Sequence, residues 1–272
     1  MLNIFSDIVS YDFLANAFAA SLLSGITCGI IGCYIVVRRM VFLSGGITHA
    51  SFGGLGLALY YGFNPIVGAL GFASLSALGI EYASRRGGMR EDSAIGIIWS
   101  LGMAIGAMFM SLRAGYATDL TSYLFGNILL VNREDVVWLA ALTLFVVLGA
   151  VLWLRRIMFI TFDEEFARSQ GVAVELIAYI MSVVVAVTIV LSIKVMGIIL
   201  LLSLLSMPAV IANSLTKDYR RMAALSAVRA VVCNIVGFLL SYAYDLPTGS
   251  SIIFTLGALL LIVKVLYRSK RV

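Results

Sequence analysis

Nine apolar runs dominate the sequence, each near the length that crosses a bilayer as a helix: Phe13 to Val37, Gly46 to Gly62, Ile66 to Ala83, Ala94 to Leu112, Val136 to Leu154, Val174 to Ile193, Val195 to Ala212, Met222 to Ala243 and Ser250 to Leu266. About 20 apolar residues in a helix span a hydrocarbon core about 30 Å thick. Inside that core a backbone amide finds no water, so it must pair within its own segment. The runs lack the alternation over about ten residues that marks a barrel strand. Composition agrees, with 62% hydrophobic and 12% charged residues in a chain of 272 and a mean hydropathy of +1.06. The expected fold is all-α, a polytopic transmembrane helical bundle of about eight to nine spanning helices plus short half-helices. Connections are mostly short and no repeat is evident, so 1–272 reads as a single transmembrane domain.

The basic residues sit at run ends. Arg38/Arg39, Arg85/Arg86/Arg90, Arg155/Arg156/Arg168, Lys217/Arg220/Arg221 and Arg268/Lys270/Arg271 follow the first, third, fifth, seventh and ninth runs, always on the same side. The positive-inside rule places that side in the cytoplasm, with the N-terminus outside and the C-terminus inside. The net charge of +5 is thus an orientation signal and not a nucleic-acid surface. The opening "MLNIFSDIVSYDFL" carries Asp7 and Asp12 in place of a basic n-region, so the first run is expected to remain in the mature protein. Cys28, Cys33 and Cys233 are too few and too scattered for a disulfide framework; buried packing is the expected role, with metal ligation the lesser alternative.

Three segments disturb a simple spanning picture. The apolar part of "YATDLTSYLFGNILLVNRED" is too short to cross and lies on the outer side, as a re-entrant or surface half-helix would. In "KVMGIILLLSLLSMPAVIA", Gly197 loosens the start of the seventh run and Pro208 removes a backbone donor near its inner end. Between the fifth and sixth runs, "FDEEFARSQGV" places Asp163, Glu164, Glu165, Arg168 and Gly171 as a short capped helix with a glycine stop. Phe162 and Phe166 give it apolar contacts for a cytoplasmic partner, the alternative being a solvated loop.

His49 is the one histidine of the chain. Ten residues of helix from Arg39 rise about 15 Å and bring it near the membrane midplane. A group of this kind at that depth marks a pathway or a bound ion, since imidazole ligates zinc, manganese and iron, or else it hydrogen-bonds a neighbouring helix. Gly45, Gly46, Gly53, Gly54 and Gly56 around it suit either reading. No G-x-x-x-x-G-K-[ST], dinucleotide fingerprint or G-x-S-x-G elbow occurs, so the chain is not expected to hydrolyse ATP or to be an enzyme.

Four stretches resemble the permease subunits of bacterial ABC importers for zinc, manganese and iron. "RRMVFLSGGITHAS" is similar to the family's R-R-M followed nine residues on by His-Ala, and "DLTSYLFGNIL" to D-L-x-x-Y-L-F-G. "FDEEFARSQGV" is similar to F-D-x-E-F-A-x-x-x-G, and "YDLPTGSS" to Y-D-x-P-x-G-x-S. They stand in the family's order from Arg38 to Ser251.

The resemblance implies a multi-pass protein of the bacterial inner membrane, two copies of which form the path for a transported divalent metal. A cytoplasmic ABC ATPase dimer would consume the ATP and an extracytoplasmic metal-binding protein would deliver the metal. No cofactor would be bound by the chain itself. Phe162, Asp163, Glu164, Glu165, Phe166, Arg168 and Gly171 would then form the segment that couples to the ATPase. Family members pair the midplane histidine with an aspartate four residues earlier, on the same helical face. Here that position is Gly45. His49 would line the metal pathway with a carboxylate from elsewhere, Asp119 and Asp245 being the candidates, or act alone as a weak transit point. A self-sufficient secondary cation transporter is the alternative, but it needs carboxylates in the middle of its runs, and none lies there. An intramembrane enzyme would need a buried base and nucleophile pair.

Overall fold

The computed structural model describes residues 10–112 and 128–268, and among them every regular element is helical. The helices are α1 (Asp12–Val37), α2 (Val41–Tyr61), α3 (Pro65–Arg85), α4 (Glu91–Ser111), α5 (Arg133–Leu152), α6 (Leu154–Phe162), α7 (Glu164–Ser169), α8 (Val174–Leu215), α9 (Tyr219–Tyr244) and α10 (Thr248–Arg268). A single 3-10 turn, Ile128–Leu130, precedes α5. Eight of these helices are long and apolar enough to cross a membrane. One of the eight, α8, holds two of the expected runs: its 42 residues would rise about 63 Å, twice a hydrocarbon core. Gly197 breaks it with φ 74° and ψ 170°, a conformation in which only glycine is comfortable. Pro208 lies within the helix and leaves the surrounding dihedrals helical.

Start signals account for the boundaries. Asn64 accepts from the Ile66 amide ahead of Pro65 at the first turn of α3, and Asn132 accepts from Asp135 N at the head of α5. Asp218 caps α9 in the same way. Helix α2 starts at Val41, five residues before the expected run, because Arg39 turns the chain in the left-handed region (φ 61°) and the apolar "VFLS" is free to coil at once. Helix α6 was not expected from the runs. It is amphipathic, with Ile157, Ile160 and Thr161 buried while Arg155 and Arg156 face outward.

The helices sort into two compact units. The first comprises Met1–Val37, Thr121–Leu154 and Lys194–Val272. Within it α1 and α9 run antiparallel: Gly25 meets Val231, Gly29 meets Ala227, and Asn234 Nδ2 donates to the Ser21 carbonyl at 2.8 Å. Further along the same face, Leu14 and Ala17 pack against Phe238. Thr27 and Thr143 share a buried hydrogen bond of 2.8 Å between α1 and α5. Lys194 Nζ donates to Asp135 Oδ1 at 2.5 Å at the head of α5. Cys28, Cys33 and Cys233 are buried and form no disulfide.

The second unit comprises Arg38–Leu120 and Arg155–Ile193. Here α2 is pressed between α3 and α4 through glycines. A Cβ on Gly102 would stand 2.6 Å from Ala50 Cα, and one on Gly106 would stand 2.5 Å from the Phe52 carbonyl oxygen. Gly54 and Gly68 meet in the same manner between α2 and α3. Such close approach lets backbones touch and supplies the dispersion that holds helices together in lipid.

Candidate functional sites

His49 stands on α2, eight residues or about 12 Å from its first residue, in the middle third of a helix about 31 Å long. It is half-buried and lies flat against Trp99 of α4, ring centroids 4.4 Å apart and planes within 6°. Phe52 flanks it at 6.2 Å. The indole Nε1 of Trp99 donates to Met103 Sδ at 3.2 Å, which fixes the plane on which the imidazole rests. His49 Nδ1 is buried and has no hydrogen-bond partner among the described residues. The stack orients the ring but leaves that nitrogen's lone pair or proton unspent, so the histidine is not merely satisfied by a neighbouring helix.

The position one turn before His49 also faces the indole. A Cβ on Gly45 would meet only Trp99, at 3.7 Å, an ordinary van der Waals contact. Trp99 therefore borders the place where a carboxylate at 45 would sit. Of the two carboxylates expected to compensate, Asp245 is exposed and ends α9 in the left-handed conformation (φ 54°), its amide donating to the Ser241 carbonyl. It belongs to the first unit and His49 to the second. Asp119 lies outside the described residues. Among the described residues no group of three or more His, Cys, Asp or Glu side chains is gathered as a chelate.

The segment after α6 forms a second candidate site. Asp163 caps α7, its Oδ1 accepting from the Phe166 amide at 2.9 Å, and Gly171 ends the unit in the left-handed region (φ 73°). Phe162 and Phe166 are 59% and 47% exposed, and Phe166 is propped edge-on against Phe159 at 5.4 Å. Glu165, Arg168 and Gly171 are exposed beside them, whereas Ala167 is buried. Glu164 turns the other way. Arg38 Nη1 donates to its Oε1 at 2.6 Å, and Arg85 donates to both oxygens, at 3.0 and 2.8 Å. The hydrogen bond from Arg85 holds the Glu164 carboxyl down at about 2, with burial opposing and Arg38 assisting.

Three residues of these sites were not singled out in the sequence. In the sequence Trp99 is one more apolar residue of the fourth run, and Arg38 and Arg85 carry the orientation signal. Glu81, which pairs with Arg85 Nε one turn later on α3, carried the one available hint: an acidic residue four before a basic one within a spanning run.

Comparison with known proteins bears on both sites. Residues 10–267 match the family described as "ABC 3 transport family". A membrane protein of Synechocystis, slr2045, is 39% identical over 245 residues, covering 90% of this chain and 87% of that protein. The manganese transport system membrane protein MntC of Halalkalibacterium halodurans is 34% identical over 255 residues, covering 94% and 87%. Among solved structures, PsaBC from Streptococcus pneumoniae in complex with Fab superposes with a TM-score of 0.84 at 28% identity, covering 96% of this chain and 94% of that one.

Proposed function

Because the chain belongs to the ABC 3 transport family, we propose that it is the permease subunit of an ABC importer for a divalent transition-metal ion. It is a multi-pass protein of the bacterial inner membrane. Two copies form the translocation path, an extracytoplasmic binding protein delivers the ion, and a cytoplasmic ATPase dimer binds at Phe162 to Gly171 and hydrolyses ATP. The permease domain itself performs no chemistry and alternates its access between the two sides. Zinc, manganese and iron are the candidate ions, and the relatives named as manganese transport proteins favour manganese.

The observation that carries this reading is the family match over nearly the whole chain. Two local features support it. Among the described residues His49 Nδ1 has no hydrogen-bond partner and no chelate surrounds it, in the middle third of a spanning helix, which suits an ion that must leave as readily as it enters. Two exposed phenylalanines, Phe162 at the end of α6 and Phe166 on the short capped α7, form the kind of apolar knob that a partner's cleft buries. Asp119 and Asp245 remain the proposed outer contributors to the path.

Metal uptake by cells expressing the chain with and without its ATPase and binding protein tests the proposal. Uptake is expected only with both partners, and His49→Ala should reduce it at least tenfold while leaving the amount of chain in the membrane and its ATPase association unchanged. Uptake by the chain alone would instead make it a self-sufficient secondary transporter. Wild-type uptake by His49→Ala for all three metals would remove the histidine from the path.

A further inference from the structure

Helix α7 has two faces with different chemistry. Phe166, Glu165 and Arg168 are exposed on its outward side, Arg168 within 4.0 Å of Glu164 Oε2, while Glu164 is fastened inward by the guanidinium groups of Arg38 and Arg85. The fastening continues. Arg85, which grips both oxygens of Glu164, also donates through Nε to Glu81, and the other oxygen of Glu81 accepts from Ser182 Oγ at 2.8 Å. Arg38 additionally donates to the Ile160 carbonyl at the end of α6, at 3.2 Å. One connected chain of hydrogen bonds thus runs from α7 through the foot of α3 to α8, with a branch to Arg38 in the turn that leads from α1 into α2.

We propose that Arg38 and Arg85, through Glu164, form the mechanical link by which the docking segment moves α2, α3 and α8, and that both arginines are positioning residues for transport. This rests on the permease reading above. Simple attachment of a short helix needs only apolar burial, which Ala167 and Ile160 already provide. Two arginines and two glutamates add little to that attachment, because removing paired charges from water costs nearly as much as their attraction returns. They supply direction instead. A guanidinium on both oxygens of a carboxylate fixes distance and plane together, which an ammonium does not. Arg38, Arg85 and Glu164 keep 17%, 14% and 27% of their side-chain surface exposed, so water competes weakly for these bonds. A displacement of α7 is therefore passed to the feet of the helices around His49, since the alternative is to strand charges in a half-dry site. The depressed Glu164 carboxyl stays ionised throughout the physiological range.

The test uses the whole transporter, with its ATPase and binding protein, in proteoliposomes, and reads manganese(II) transported per ATP hydrolysed. In Arg85→Gln the ratio is expected to fall at least tenfold while the ATPase still co-purifies, because the outward face of α7 is untouched. Arg85→Lys should fall between, keeping the charge but losing the two-point grip. Arg85→Gln combined with Glu164→Gln should be no worse than Arg85→Gln alone, as expected of residues acting as one unit. A wild-type ratio in Arg85→Gln, or uptake and hydrolysis falling in the same proportion, would overturn the link. Should Arg85→Gln fail to reach the membrane, Arg85→Lys and Arg38→Gln decide, and wild-type ratios in both would overturn it equally. Failure of the wild-type chain to bind an ATPase would instead strike the permease reading itself.

Discussion

Substituting Gly102 by alanine should wedge α4 away from α2. The added Cβ would stand 2.6 Å from Ala50 Cα, 2.9 Å from its carbonyl oxygen and 3.1 Å from its Cβ. Carbon atoms in contact prefer about 3.5–4.0 Å, so the helices must part locally by about 1 Å. Two of the three obstructing atoms are backbone, which no rotamer change can move. Overpacking of this kind costs about 1–3 kcal/mol. Gly96, on the same helix, meets nothing within 4 Å, and Gly96→Ala should gain up to about 1 kcal/mol of helix propensity. The two variants should therefore differ by about 1–4 kcal/mol, or about 5- to 700-fold in the folding equilibrium. Unfolding in mixed micelles of sodium dodecyl sulfate and a mild detergent measures the difference. Trp99, three residues before Gly102, gives a local readout once Trp138 and Trp153 are replaced by phenylalanine, because parting the helices opens its 4.4 Å stack on His49. Equal stabilities of Gly102→Ala and Gly96→Ala, with unchanged Trp99 emission, would refute the close packing assigned to this interface.

Two further outcomes follow from the ion pairs. Lys194→Met should cost about 1–3 kcal/mol by stranding the buried Asp135 carboxylate, and Lys194→Met with Asp135→Asn should cost clearly less; equal losses in the same unfolding assay would mean the pair is not coupled. The Glu164 carboxyl is held below its ordinary 4.5, at about 2, so its contribution is complete above the higher value and fades as pH falls towards the lower. Amide exchange at 164–169, corrected for intrinsic rate, should keep constant protection from about pH 8 to about pH 5 and lose it only below about 4.5, and a loss between neutrality and pH 5 would contradict the clamp.

Much of the architecture was legible because lipid imposes so strict a rule. Every apolar run of near-spanning length is helical, and the glycine stop and aspartate cap around Glu164 to Ser169 stand where the sequence puts them. What escaped was any feature set by partners distant in the chain. Arg155 and Arg156 count equally as a loop signal and as the wet side of an amphipathic helix, and only the burial of Ile157 and Ile160 separates the two. Arg38 lies 126 residues from Glu164 and Arg85 lies 79, so their roles as orientation signals hid their roles as partners. Trp99 is one apolar residue among many in the fourth run, and only the position at Gly45 and the flat face of His49, both distant in sequence, give it its neighbours.

The glycines around His49 bear on motion as well as on packing. Gly46 meets Ile95, Gly53 meets the Gly102 carbonyl, Gly54 meets Gly68, and Gly56 meets Gly106, so contact between α2 and its neighbours extends along most of its length. Small residues at such spacing leave no side-chain layer to slide or repack, and interfaces this tight are rigid. On the link proposed above, a push at Arg38 and Arg85 would carry α2, α3 and α4 together and keep the distance between His49 and Trp99 fixed. If the proposed path runs past His49, access to it would then come not from separating α2 and α4 but from movement of this three-helix body as a whole, which is the motion that a clamp at its foot is placed to drive.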